Sequence, residues 1–276
     1  VLEDRALVTR ILGVHGVGNL QAELDCSAAG DRITGWWRGA LRTISSEVID
    51  IRVYYYAHLL AAPIAQGDGL DYLDDVTAAD VIAWASHLGA YQEVAQGRLT
   101  QPVREGVAWV ARHFGLDHDL ATRFVATFFP EVSRYFTDQD ARIRAVSGLA
   151  AQIREWRPRV LIAHSLGSVV AYESLWADAS LEVETLLTLG SPLAMPDIVY
   201  QRLAHHAGTR RRPPGVRRWI NIADRGDVIA IPPGGISQRF EQLAADLSDS
   251  IHAFDFHRAT NYLACSTTTA ALASVV

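Results

Sequence analysis

Apolar positions along this chain fall into two rhythms. Short runs dense in β-branched and aliphatic residues, Ala6–Val14, Ile49–Tyr56, Val160–Ala163, Glu184–Leu189 and Val216–Ala223, read as strands buried on both faces. Between them lie stretches with helical spacing: Asp31–Val48, Asp140–Arg157, Leu166–Ala177 and Pro196–His206. Strands separated by helices predict an α/β fold, a mostly parallel sheet with helices on both faces. From about residue 58 to 137 the rhythm breaks. No strand pattern occurs there, but Val81–Tyr91, Val103–Phe114 and Leu120–Phe129 are apolar at helical spacing. The interval is too long and too apolar for a linker, and it reads as a helical cap inserted into a single domain spanning 1–276. The tail from His257 reads as a closing helix.

Chemistry enters where one strand ends. Val160-Leu161-Ile162-Ala163 runs straight into His164-Ser165-Leu166-Gly167 and then into a helix. A serine between a strand and a helix in small-x-Ser-x-Gly sits on a strained turn, where the residues two before and two after must be very small. Ala163 and Gly167 meet that demand. The backbone N–H of Leu166, in the first turn of the helix, faces the place where a tetrahedral oxyanion would form. Serine at a helix start is also an ordinary cap; the strand before and the helix after favour the nucleophile.

The first strand closes in Gly13-Val14-His15-Gly16-Val17-Gly18-Asn19. Its glycines fall at 13, 16 and 18, which is not the Gly-x-Gly-x-x-Gly of a dinucleotide fold. His-Gly after the first central strand, followed much later by Ala-His-Ser-Leu-Gly, resembles the α/β-hydrolase superfamily, in particular its lipases, esterases and thioesterases. The resemblance implies that Val17, after His-Gly, donates a second backbone N–H to the oxyanion beside Leu166. It also implies that His15 is structural and that an acid and then a histidine follow the serine in chain order.

Two aspartates compete for the acid after the strand Val216–Ala223. Asp227 precedes Val228-Ile229-Ala230, and in similar sequences the second aspartate of such a turn is the acid. Asp224 is the alternative, with turn formation as its ordinary role. Asp197, after Gly190-Ser191-Pro192, is a weaker third candidate. Only His252 and His257 follow, and His257 opens His-x-x-x-x-Tyr-Leu, which resembles the start of a last helix in related sequences. The catalytic set implied is Ser165, His257 and Asp227, cleaving an ester or thioester of a hydrophobic acyl substrate through an acyl-enzyme. Acyl transfer, cyclisation or amide cleavage by the same set is the alternative, and a non-catalytic binding module of this fold is the reading from another class.

Composition removes other classes. Half the 276 residues are hydrophobic and a fifth are charged, the balance of a packed globule. The net charge of −6 gives no general attraction to nucleic acid. Every basic side chain is arginine, so a phosphate loop with its lysine cannot be built. Cys26 and Cys265 stand far apart in no metal-ligand or redox spacing, and the other histidines share none, so neither metal nor cofactor is expected. No apolar run approaches the ~20 residues of a membrane span. With no signal peptide in the acidic start, a cytoplasmic location is the expectation.

Overall fold

The computed structural model describes residues 8–41, 49–61, 69–90, 100–204, 210–231, 235–251 and 257–275. The chain forms an α/β fold around a six-stranded, all-parallel sheet in the order β2-β1-β3-β4-β5-β6. The strands are β1 (Thr9–Val14), β2 (Ile49–Tyr54), β3 (Val160–His164), β4 (Val183–Leu189), β5 (Val216–Asp224) and β6 (Ala245–Asp249). Five of them lie within or one residue beyond the apolar runs. The sixth has no such run. It lies at a sheet edge with two of its five residues exposed, so no apolar alternation marks it.

Alternation divides the strand residues between two cores. Leu12, Val14, Leu161, Ala163 and Leu186 face one side, while Ile11, Val160, Ile162, Leu187, Leu189, Ile220 and Ile222 face the other. The second side is covered by α1 (Cys26–Ala40), through Ile33 and Trp37, and by residues of the C-terminal helices. Helix α1 starts earlier than its apolar pattern because Asp25 accepts the Ala28 N–H at 2.9 Å and caps it. Residues 42–48 of that predicted helix lie outside the described part.

The first side carries everything else. Helices α2 (Ala57–Leu60), α3 (Asp75–His87), α4 (Thr100–Phe114) and α5 (His118–Thr137) follow β2, and α6 (Gln139–Trp156) leads into β3. Among the described residues between β2 and β3 there is no strand. Asp138 ends α5 and caps α6, its side chain accepting the Ala141 N–H. Tyr135 of α5 donates to Glu173 of α7 (Leu166–Ala177), and Arg142 of α6 pairs with the same carboxylate. One buried anion thus holds three helices together, with its charge compensated.

Two predicted helices are corrected. Pro196–His206 is a string of turns with one short 3₁₀ segment at Tyr200–Arg202, because Asp197 takes φ +62° and turns the chain off a helical path; residues 205 and 206 lie outside the described part. The closing helix is two short ones, α8 (Ala259–Ala264) and α9 (Ser266–Ala273), broken at an extended Cys265. Among the described residues no helix is long and apolar enough to cross a membrane.

Candidate active site

Ser165, the loop of His15 to Gly18 and the turn bearing Asp227 follow the C-terminal ends of β3, β1 and β5. Ser165 follows β3 with φ 54° and ψ −131°, a conformation that costs a residue bearing a Cβ about 1–3 kcal/mol. Its backbone is held at both ends. Its N–H donates to the Leu189 carbonyl at 3.0 Å, and its carbonyl accepts from the Ser168 N–H at 2.9 Å and the Ser168 hydroxyl at 2.6 Å. Ser168 in turn meets Ser191 of the Gly-Ser-Pro turn at 2.7 Å. A Cβ on Gly167 would stand 2.4 Å from the carbonyl oxygens of both Val14 and His15, so helix α7 can only begin here without a side chain.

The hydroxyl of Ser165 donates to His257 Nε2 at 2.7 Å, and His257 Nδ1 donates to Asp227 Oδ2 at 2.6 Å. The carboxylate accepts, which sets the proton on Nδ1 and makes Nε2 the acceptor of the serine hydroxyl. Ser165 is fully buried, and His257 and Asp227 are each 5% exposed. Asp227 also accepts the Ile229 N–H at 2.9 Å and the Tyr262 hydroxyl at 2.7 Å. Burial, and then the charge of Asp227, push the Tyr262 phenol well above its ordinary pKa, so it stays a donor.

The remaining candidates lie elsewhere. Asp224 accepts the N–H groups of Gly226 at 3.3 Å and Ile251 at 3.1 Å, and its own N–H donates to the Tyr262 hydroxyl. It shapes the turn that presents Asp227. Asp197 is exposed and pairs with His87 at 2.9 Å. His252 lies outside the described residues. Among the described residues no cluster of three metal-ligating side chains occurs.

The loop after β1 lies against the serine. Gly16 approaches so closely that a Cβ there would stand 2.5 Å from the Ser165 Cβ. His15 is buried and bonded to backbone alone: Nδ1 donates to the Gly16 carbonyl and Nε2 accepts the Tyr56 N–H. Its ring stacks on Tyr56 at 4.4 Å, and burial pushes its pKa down to about 4. His164 is also buried, with its ring 4.9 Å from that of His257. Burial, and then the neighbouring His257 and His15, hold His164 well below the ordinary imidazole value.

Four residues at the site carry no assigned role in the sequence analysis. Tyr262 had a signal, since it is the tyrosine of His-x-x-x-x-Tyr. Phe124 and Phe128 of α5 present themselves edge-on to the His257 ring at 5.3 and 6.1 Å. Glu131, one turn further along α5, accepts the Gly18 N–H at 2.9 Å. Burial raises its carboxyl to about 7, against the pull of that hydrogen bond. Nothing local in the sequence marks Phe124, Phe128 or Glu131 as part of the site.

No protein-family model and no curated protein matches the chain. Among solved structures it is similar to the esterase domain of a Rhodothermus marinus protein, at 12% identity over 99% of this chain and 87% of that one, with a TM-score of 0.39.

Proposed function

We propose that the protein is a serine hydrolase of the α/β-hydrolase kind, cleaving an ester or thioester of a hydrophobic acyl group. The observation that carries this reading is the continuous hydrogen-bond line from Ser165 through His257 to Asp227, joining three turns that are distant in sequence. His257 Nε2 takes the proton as Ser165 Oγ bonds to the acyl carbon, and Asp227 stabilises the imidazolium. The Val17 and Leu166 N–H groups stabilise the oxyanion. The C–O or C–S bond then breaks as His257 returns the proton to the leaving group. Water, losing its proton to His257, attacks the acyl-enzyme, and Ser165 is released with the free acid. The helices of 58–137 act as a cap, and the rings of Phe124 and Phe128 beside His257 favour an apolar acyl chain.

A fluorophosphonate probe is expected to label the protein at Ser165, and activity on acyl p-nitrophenyl esters to fall roughly 10⁶-fold in Ser165→Ala. Labelling elsewhere, or an active Ser165→Ala protein, rejects the reading. Asp227→Asn is expected to lose about 10⁴ in kcat, because the amide disturbs the imidazole tautomer. Asp224→Asn, which keeps an acceptor for the turn, is expected to stay within about tenfold of wild type, the cost of one weakened hydrogen bond. The reverse ranking would make Asp224 the acid.

A further inference from the structure

The peptides on either side of Val17 are pinned one by one. The Gly16 carbonyl accepts from the His15 ring at 2.8 Å and from Asn19 Nδ2 at 3.1 Å. The same Asn19 amide donates to the Val17 carbonyl at 2.9 Å. The N–H of Gly18 donates to Glu131 Oε1, also at 2.9 Å. A peptide is planar, so holding the Gly16 carbonyl also aims the Val17 N–H that points the opposite way. Holding both ends of the next peptide, Val17 O and Gly18 N, stops rotation on the other side.

Three of those four bonds are made by the loop's own residues. The fourth comes from α5, 113 residues away in sequence. It falls where Gly18 adopts φ +70°, a conformation that glycine reaches without the penalty of a Cβ. Glu131 also belongs to a stripe. Phe124, Thr127, Phe128 and Glu131 are spaced i, i+3, i+4, i+7 and share one face of α5. Phe124 and Phe128 meet His257, and a Cβ on Gly18 would lie 3.5 Å from Thr127. One helix face therefore touches both the base and the loop of the oxyanion donor.

We infer that Glu131 is a positioning residue for the oxyanion donor: through the Gly18 N–H it fixes the attitude of the Val17 amide, and so couples the rate at Ser165 to helix α5. The inference rests on the reading of Ser165 as the nucleophile. Glu131 touches no reacting atom. Its effect is on the transition state, where charge develops on the substrate oxygen, and little on ground-state binding.

The test compares Glu131→Leu with Glu131→Gln in the full chain. Leucine removes the acceptor, and kcat on a p-nitrophenyl acyl ester is expected to fall about 10- to 100-fold, part of the loss of a whole oxyanion donor, with KM within twofold. Glutamine keeps a carbonyl acceptor in the same place and is expected to hold kcat within about threefold of wild type. The ¹⁵N–¹H resonance of Gly18 should shift upfield in the leucine variant and stay near its wild-type position in the glutamine variant. A leucine variant with wild-type kcat overturns the inference. So does a glutamine variant that falls as far as leucine, or a leucine variant whose KM rises in step with the loss. If wild-type protein neither hydrolyses the ester nor labels at Ser165, the reading of the site fails and this inference with it. An active wild type with an indifferent leucine variant overturns the role of Glu131 alone.

Discussion

The turn at Ser165 and the loop at Val17 stand side by side at the ends of neighbouring strands, yet they are held by different means. The Ser165 turn is built from its own strand, its own helix and the adjoining strand β4, with a backbone N–H and carbonyl both paired. The loop at Val17 leans on residues brought from afar: Tyr56 stacks on and bonds to His15, and Glu131 anchors Gly18. A strained serine needs a stiff local frame, which a strand and a helix supply. An irregular loop has no ladder of its own, so its own side chains and tertiary contacts must hold it together.

That difference can be broken by crowding each side in turn. Gly16→Ala would push the loop off the serine, since its Cβ would lie 2.5 Å from the Ser165 Cβ and 2.9 Å from His164 Nδ1. On the proposed role of Val17 it is expected to lower kcat about 10²–10³-fold, the scale of one misplaced oxyanion donor, while the protein still folds. Full activity in Gly16→Ala would show that the loop is not rigidly placed. Gly167→Ala meets two backbone oxygens at 2.4 Å, which cannot swing aside as a side chain can. Its main cost is expected in stability, at roughly 1–3 kcal/mol or somewhat more, read as a lowered midpoint in urea. An unchanged midpoint would mean that β1 and α7 yield more than their packing implies.

The smallest effect sharpens the comparison through pH, because the loop is held by groups that titrate. Folded His15 takes up a proton only near pH 4, whereas the unfolded chain does so near 6.5. Stability from His15 is therefore whole above pH 6.5 and is lost as pH falls toward 4, by about 1 kcal/mol between 6.5 and 5.5. His164 acts in the same direction. Glu131 opposes both. Its folded form takes up a proton at about 7, earlier than the unfolded chain, so it adds stability as pH falls from 7 toward 4.5. Glu131→Gln removes the opposing contribution. Its unfolding free energy is expected to drop more steeply than that of wild type between pH 6.5 and 5.5, by about 1 kcal/mol. Parallel curves in urea would place the Glu131 carboxyl in an ordinary, solvated setting.

What was legible in sequence follows the same division. Buried parallel strands are continuous apolar runs, so β1 to β5 and helix α7 could be read almost residue by residue. Edge strand β6 is not apolar, and the helix drawn over Pro196–His206 failed because one aspartate at positive φ redirects the chain. The Ser165 turn was visible because its demands fall on adjacent positions, a small residue two before and a glycine two after, although the oxygens that Gly167 must clear belong to Val14 and His15. His257 and Asp227 follow from order along the chain and from resemblance, and Asp224 stands as the alternative to Asp227 there because both sit in one turn of four residues.

By itself, then, the sequence determined the alternating architecture, the strained serine and a short list of partners, since each depends on residues near one another in the chain. The tertiary structure alone decided which carboxylate meets the imidazole, that Tyr262 serves Asp227, and that one face of α5 reaches both His257 and Gly18. Those contacts are made across 30 to 133 residues of chain. They depend on how helices pack over a sheet, and no local pattern encodes that.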